Sequence, residues 1–302
     1  MAASVTTQPL ITIGMPVYNS QRHLRQALDS LLGQTYGDFV MVISDNASTD
    51  GTADICQEYV RRDPRVQYFR NPVNIGMTGN FNRVFELTKT KYIKWSTADD
   101  FSAPEMLADA LPVMEGDPSI VVCYPQTVIV DGDGVEQDRY YDNLHLMQDD
   151  PAERFLQLID NIHLVNHHLG LLRTDAVRRT RLFGKHVSAD IGFLAELSLY
   201  GKFYEVRKPQ FFRRFHEDSS SWKRGDQDQE ARRFHAANVR RVPFQSWRYH
   251  GTFSRAVLRS PLSVGKKIKL LGRLSQVMYW DGRSLYEDLR RDIPPALGLA
   301  RK

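Results

Sequence analysis

At 302 residues, with 42% hydrophobic and 25% charged residues, the chain has an ordinary globular composition, enough for one substantial core and a small appendage. Its net charge of +4 conceals an asymmetry: residues 223–302 carry 18 Lys and Arg against 7 Asp and Glu, while residues 1–222 carry 22 against 29. No run approaches 18 apolar residues, Met1 to Thr7 lacks an apolar signal core, and Cys56 and Cys123 stand apart without a partner motif, so a cytosolic protein with reduced thiols and no spanning segment is expected.

Strand and helix patterns alternate through the first 125 residues. Leu10 to Gly14 reads as a strand, and Ser20 to Thr35 as a helix with Leu24, Leu28, Leu31 and Leu32 at helical spacing. Phe39–Ile43, Val66–Arg70, Tyr92–Ser96 and Ile120–Tyr124 read as strands. Thr52–Arg62, Asn80–Thr88 and Pro104–Met114 read as the helices between them. Strands separated by helices of this length imply right-handed crossovers, hence an α/β fold with a mainly parallel central sheet flanked by helices. Ligands of such sheets collect at the carboxyl ends of the strands.

Four successive strand ends carry polar groups: Pro16-Val17-Tyr18-Asn19, Ser44 to Thr52, Asn71 to Gly76, and the pair Asp99-Asp100. Each has a local structural explanation, in helix capping by Asn19 or Ser20, a turn at Ser48 to Gly51, or a loop around Gly76. Capping also competes for Asp99-Asp100, because Ser102-Ala103-Pro104-Glu105 follows. Together, however, the four loops suit a nucleotide. Tyr18 can stack on a base, Asp45 can accept a base N–H, and adjacent carboxylates can hold a hard divalent cation against a diphosphate. Neither a Gly-x-Gly-x-x-Gly nor a Gly-x-x-x-x-Gly-Lys-Ser/Thr run occurs, so a dinucleotide site and a P-loop are disfavoured.

The runs Ile13 to Asn19 and Ile43 to Thr52, the loop Asn74-Ile75-Gly76 and the pair Asp99-Asp100 together resemble family 2 glycosyltransferases of the GT-A fold, over roughly residues 8–220. The resemblance implies an inverting transferase that moves a sugar from a nucleotide-sugar donor, most often UDP-linked, with Mg²⁺ or Mn²⁺. It implies a GT-A domain with a nucleotide-sugar-binding half at 1–125, an acceptor-binding half at 126–242, and a basic helical tail at 243–302. Pro16, Tyr18 and Asn19 would border the base, Asp45 would bind it, Asn74, Gly76 and Asn80 would line the nucleoside pocket, Asp99 would lie near the ribose, and Asp100 would hold the metal. The family's usual Asp-x-Asp is broken by Ala98, which leaves one direct carboxylate ligand.

Inversion also requires a base for the acceptor hydroxyl. Val187 to Leu194 begins a helix with Phe193, Leu194, Leu197 and Tyr200 on its apolar face. Asp190 stands at its start, where capping is again the local alternative. By resemblance, Asp190 before a helix ending Leu199-Tyr200-Gly201 matches the family's catalytic base, although Ala189 replaces the acidic neighbour common there. Arg214 and His216 match an Arg-x-His element. Arg214 would reach the donor, and His216 would complete the metal shell or bond a phosphate. The polar stretch Glu217 to Gly225, with Trp222 and Lys223, suits a loop that closes over the donor.

Between these regions, Val128 to Gly134 reads as a strand and turn and Asp150 to Ile162 as a helix. His163, His167 and His168 tempt a metal assignment, but Leu164, Val165, Leu169 and Leu171 favour a partly buried strand. In the tail, Ser254–Leu258 and Ser263–Tyr279 read as helical. In the second, Ile268, Leu271, Leu274, Ser275 and Met278 share an apolar face and Lys266, Lys269 and Arg273 lie opposite. That helix either packs on the catalytic domain or gives a peripheral contact with the inner membrane face near a lipid-linked acceptor; a carbohydrate acceptor is the other expectation. No zinc, RNP or helix-turn-helix pattern accompanies the basic tail, so nucleic acid is not an expected partner. A non-catalytic nucleotide-sugar-binding subunit and a sugar nucleotidyltransferase are the competing functions. The second would want a Gly-rich, Lys- or Arg-bearing loop where Pro16 to Asn19 stands.

Overall fold

The computed structural model describes residues 9–216 and 243–296. The first half builds four parallel strands from apolar runs covered on both faces: β1 (Ile11–Val17), β2 (Phe39–Asp45), β3 (Val66–Arg70) and β4 (Tyr92–Trp95), ordered β3-β2-β1-β4. The crossovers are α1 (Leu24–Leu32), α2 (Thr52–Arg62) and α3 (Met77–Leu87). Helix α1 buries Leu24, Ala27, Leu28 and Leu31, the i, i+3, i+4, i+7 stripe of an amphipathic helix. Helix α3 lies tight on β1: a Cβ on Gly14 would come within 2.1 Å of Val84 Cγ1, so only glycine permits the approach.

Beyond β4 the sheet continues with changed polarity. The antiparallel strand β8 (Leu171–Arg173) joins β4 to β6 (Ile120–Val130), and β6 pairs in parallel with β9 (Lys202–Arg214). The short β5 (Phe101–Ser102) closes the far edge against β9, and β7 (Glu136–Tyr140) pairs with the distal part of β6. The sheet is thus mainly parallel, as expected. Strand β6 is longer than the sequence suggests because it runs through Pro125, and its register with β9 shifts just after that residue, where a proline lacks the N–H a ladder needs.

Helix α4 (Met106–Gly116) packs on β6. Helices α5 (Pro151–Asn161), α6 (Thr174–Arg178) and α7 (Ala189–Ser198) cover the second half. Asp150 caps α5 by accepting from the Ala152 N–H at 2.9 Å, with Pro151 at the first helical position. Three helices follow: α8 (Gln245–Arg259), α9 (Val264–Trp280) and α10 (Gly282–Ala296). The C-terminal helices are present as expected, and among the described residues none is long and apolar enough to cross a membrane. Cys56 and Cys123 are buried and free, and burial pushes both thiols up to about 12.

The halves join through an aromatic core. Trp95 is fully buried with edge-on contacts to Phe183 and Phe193 and a tilted contact to Phe85, and its Nε1–H donates to the Phe81 carbonyl at 3.2 Å. Three local expectations are revised. Helix α1 starts at Leu24, because Ser20 and Gln21 bond the Asp50–Thr52 turn instead. His167 and His168 form a 3-10 turn ahead of the strand, which begins only at Leu171. On α9 the buried face is Leu270 and Leu274, while Ile268 is 66% exposed. The expected loop at Glu217 to Gly225 lies outside the described residues.

Candidate active site

The carboxyl ends of β1, β2 and β3 meet in a hydrogen-bonded edge built mostly from amides. Asn19, held at φ 48°, accepts from the Thr49 N–H through Oδ1 at 2.8 Å, and its own N–H donates to Ser48 Oγ at 3.0 Å. Asn46 links the second and third loops: its Nδ2 donates to Asn74 Oδ1 at 2.8 Å and to the Gly76 carbonyl at 3.2 Å, and its Oδ1 accepts from the Ile75 N–H at 2.9 Å. Asn74 Oδ1 also accepts from the Gly76 N–H at 2.8 Å, across a glycine at φ 82° where a side chain would be strained. Asn80, 2% exposed, binds Ser44 on both sides. Its Oδ1 accepts from Ser44 Oγ at 2.7 Å, and its Nδ2 donates to the Ser44 carbonyl at 2.8 Å.

These bonds bring Asn19, Asn74, Gly76 and Asn80 to one edge, but they also use up much of what those side chains offer. Asn80 lies beneath the edge and braces it. Asp45 is fully buried; its oxygens accept from the Ser48 N–H at 2.9 Å and the Tyr68 hydroxyl at 2.6 Å, and Arg70 stands 3.8 Å away. Pro16 is half-buried beside Ser44 in the β1–β2 pairing. Tyr18, 47% exposed, leaves its ring open to a stacking partner.

The second cluster gathers residues more than a hundred positions apart. Pairing of β5 with β9, clamped by the stacked Phe101 and Phe212 rings at 4.6 Å, delivers Arg214 and His216 to Asp99-Asp100. Asp100, 7% exposed, caps no helix. Its Oδ1 accepts from the Arg214 N–H at 2.8 Å and its Oδ2 from Thr97 Oγ1 at 2.5 Å. The Arg214 guanidinium is turned inward, donating to the carbonyls of Asp99, Asp131 and Gly132 and to Gln26. Arg214, expected to reach the donor, is therefore spent on holding the Asp99-Asp100 turn.

His216 has both ring nitrogens buried without a hydrogen-bond partner, its Nε2 lying 3.6 Å from Asp99 Oδ2. His23, unnoticed in the sequence, stands beside it with ring centroids 5.2 Å apart and Nε2 equally unpartnered. Burial, then Arg214, lowers the His23 pKa to about 4, so this imidazole is neutral near pH 7. Asp99 is raised, by its enclosure and by Asp100, although 42% of its side chain remains open. Among the described residues no group of three His, Cys, Asp or Glu side chains gathers as a ready-made metal cage. What the cluster offers is a partial set, Asp100, Asp99 and His216, of the kind that suits a cation shared with substrate oxygens.

Beneath the cluster lies Lys94, 0% exposed in β4, donating to the Leu169 carbonyl at 3.1 Å. Burial drives its pKa down to about 7, against the pull of Asp100. A lone lysine inside the apolar strand Tyr92-Ile93-Lys94-Trp95 is the signal that marks it.

Asp190 is linked to β9 by electrostatics, through Arg213, the residue before Arg214. While the Arg214 N–H holds Asp100, the Arg213 guanidinium lies within electrostatic reach of Asp190 and donates to Asn166 at 2.6 Å. Asp190 sits in the first turn of α7, accepting from the Ile191 N–H at 2.9 Å; Ser188, at φ 59°, occupies the N-cap position without a side-chain cap bond. Burial raises the Asp190 pKa, and Ile191 N–H and Arg213 partly offset it. A carboxylate raised toward neutrality is a stronger proton acceptor.

The chain is similar to known proteins in sequence and in fold. The chain is 28% identical over 129 residues to an uncharacterized glycosyltransferase of Methanocaldococcus jannaschii, covering 42% of this chain and 44% of that protein. It is 26% identical over 227 residues to the chondroitin synthase of Escherichia coli, covering 74% of this chain and 32% of that protein. The chain therefore spans less than half the length of these relatives. The fold is that of S. aureus TarS 1-349 in complex with UDP-GlcNAc, with a TM-score of 0.65 at 17% identity, covering 89% of this chain and 72% of that one. The mannosyltransferase PcManGT from Pyrobaculum calidifontis, in complex with GDP-Man and Mn²⁺, superposes with a TM-score of 0.51 at 16% identity, covering 92% and 83%. The architecture is thus the GT-A arrangement. The sequence profile of glycosyl transferase family 2 matches residues 12–181, more than half of the chain, and the chain belongs to that family.

Proposed function

We propose that the protein is an inverting glycosyltransferase that moves a sugar from a nucleotide-sugar donor, UDP-linked, to an acceptor hydroxyl in polysaccharide or glycoconjugate synthesis. The observation that carries this reading is the end of β9, where the Arg214 N–H binds Asp100 and the adjacent Arg213 lies within electrostatic reach of Asp190, which supports a donor-side and an acceptor-side carboxylate gathered near one strand end. UDP-GlcNAc in TarS and GDP-Man with Mn²⁺ in PcManGT support donor chemistry of this class.

In this reading Tyr18 stacks on the base, while Asn19, Asn46 and Asn74 hold the rim at a fixed width. Asp45 and Asn80 brace the rim from within, and Pro16 and Gly76 shape its wall. Asp99 borders the ribose, and Asp100 with His216 would hold Mg²⁺ or Mn²⁺. Such a cation, when bound, supplies positive charge to the departing diphosphate. Asp190 takes the proton of the acceptor hydroxyl as its oxygen forms the new bond to the anomeric carbon from the face opposite the diphosphate. The old anomeric C–O bond breaks with its electron pair leaving on the nucleotide, so configuration inverts. Arg214 keeps Asp99 and Asp100 aligned, and the neutral His23 ring backs His216.

The exposed Ile268, Tyr279, Trp280 and Tyr286 and the basic charge of the tail support a peripheral membrane contact. Thermal-shift screening against nucleotide sugars tests the function directly, since selective ligand binding stabilises the folded state by mass action. One donor should raise Tm more than its free nucleotide and should be consumed when a saccharide acceptor is added. Stabilisation by the donor without transfer to any acceptor would favour the non-catalytic binding subunit.

A further inference from the structure

A cleft of about 450 Å³ opens between the loop before α7, Glu196 of α7 and the start of α8, and none of its lining residues belongs to the Asp99-Asp100 cluster. Its rim carries four exposed cations, Arg181, Lys185, Arg248 and Arg255. No carboxylate among the described residues lies within ion-pair distance of any of the four. The one carboxylate in the cleft, Glu196, is 3% exposed, accepts from the Arg181 backbone N–H at 2.9 Å, and lies 3.6 Å from Arg259. Cations elsewhere on the surface are commonly matched, as in Arg25–Glu58, Lys91–Glu115, Lys208–Asp109 and Lys266–Asp150. Like charges around a concave surface raise the local potential, and an anion that enters relieves their repulsion.

The walls are built rather than incidental. His186, 4% exposed, is fixed by the Val187 carbonyl at 2.9 Å and by Thr252 Oγ1 at 3.0 Å, tying the loop before α7 to α8. Gly192 of α7 faces Thr252 so closely that a Cβ there would come within 2.6 Å of its methyl group, which keeps α8 close against the helix that carries Asp190. Phe244, at φ 58°, and Trp247, 39% exposed, add aromatic surface suited to the face of a sugar or polyol. The volume exceeds what a lone phosphate needs and fits a phosphate with one attached polyol or sugar unit.

We propose that this cleft binds the phosphoryl group of a phosphate-bearing acceptor, a phosphate ester of a polyol or sugar, and so presents the acceptor hydroxyl across α7 to Asp190. This rests on the reading of the chain as a glycosyltransferase with Asp190 as base. The span across a helix, roughly 10 Å, is the length of one or two such units.

Calorimetry on the full chain with sn-glycerol 3-phosphate, with glycerol as neutral control, tests it alongside a separate titration with UDP. The wild type should bind glycerol 3-phosphate saturably and more weakly as salt rises, and should not bind glycerol. Lys185→Ala/Arg248→Ala and Arg255→Glu should each lose about tenfold or more in that affinity. Both should keep the wild-type Tm and bind UDP within about twofold of wild type. Absence of saturable glycerol 3-phosphate binding by the wild type, or unchanged binding by both variants, overturns the proposal, whereas loss of UDP binding by the wild type overturns the donor reading alone. Vesicles of phosphatidylglycerol that displace glycerol 3-phosphate and sediment the wild type, but not Arg255→Glu, identify a lipid-borne phosphate. Failure of those vesicles, with glycerol 3-phosphate still bound, identifies a soluble one.

Discussion

Asn46 and Asn80 are each 2% exposed, and every amide hydrogen-bonding group on them has a partner in Ser44, Asn71, Asn74, Ile75, Gly76 or the Val17 carbonyl. Asp142 and His167, in the second half, are also buried, yet Asp142 Oδ1 and both His167 nitrogens lack hydrogen-bond partners, with Asp142 Oδ1 3.7 Å from His167 Nε2. Amides do not titrate, so the bonds that Asn46 and Asn80 make across the strand-end edge do not depend on pH. Asp142 and His167 escape the cost of buried charge by becoming neutral: burial raises the acid to about 7 and lowers the imidazole to about 3. The amides that brace the strand-end edge of the first half carry no titrating proton, whereas the buried Asp142 and His167 of the second half are set by theirs.

The sharpest way to break that division is at Asp190. Asp190→Asn should cut kcat/KM by about a thousandfold, the middle of the range for loss of a general base, while UDP affinity stays within about twofold. Parallel losses in transfer and in UDP binding would show that the two halves do not divide the work.

A smaller effect is expected from the donor edge. Asn80→Ala removes the partner of the Ser44 hydroxyl and one of the two acceptors of the Asn71 amide, and should cost about 2–3 kcal/mol by chemical denaturation at every pH from 5 to 8. A cost that changed with pH across that range would contradict the description of the edge as amide-braced.

The smallest effect belongs to Asp142 and has a defined sign. Its folded pKa, about 7, lies above the 3.8 of an ordinary Asp, so between those values the folded state binds more protons than the unfolded chain. Stability from this group is present at low pH and is lost as pH rises through about 4 to 7. Asp142→Asn should therefore gain on the wild type by about 1–2 kcal/mol between pH 5 and pH 8, read as the difference of two denaturation midpoints. A difference independent of pH would place the Asp142 proton elsewhere.

The parallel half was legible because its information is local. Leu24, Leu28 and Leu31 mark α1, continuous apolar runs mark the covered strands, and the crossover rule then sends Tyr18, Asn19, Asn74 and Asp99-Asp100 to one edge. The inward turn of Arg214 was not legible, since it depends on Gln26 and on the carbonyls of Asp131 and Gly132, residues far away in the chain. Asn46 lay unselected in the strand-end run Ser44 to Thr52, although it joins the second and third loops through Asn74, Ile75 and Gly76. His167 and His168 misled because their neighbours Leu164, Val165, Leu169 and Leu171 suit a partly buried strand, whereas the chain turns tightly before β8. The basic cleft was invisible for the same reason as the Asp100–Arg214 contact: Lys185 and Arg255 share a wall only after α7 and α8 pack together.

The central claim is that the strand-end edge holds a nucleoside diphosphate through a cation shared with Asp100. UDP titrated calorimetrically into the wild type and Asp100→Ala, with and without Mn²⁺, measures this directly. Mn²⁺ should raise wild-type affinity by at least about tenfold and should leave Asp100→Ala near its metal-free value. An undiminished Mn²⁺ effect in Asp100→Ala, in a variant whose Tm matches the wild type, would contradict it.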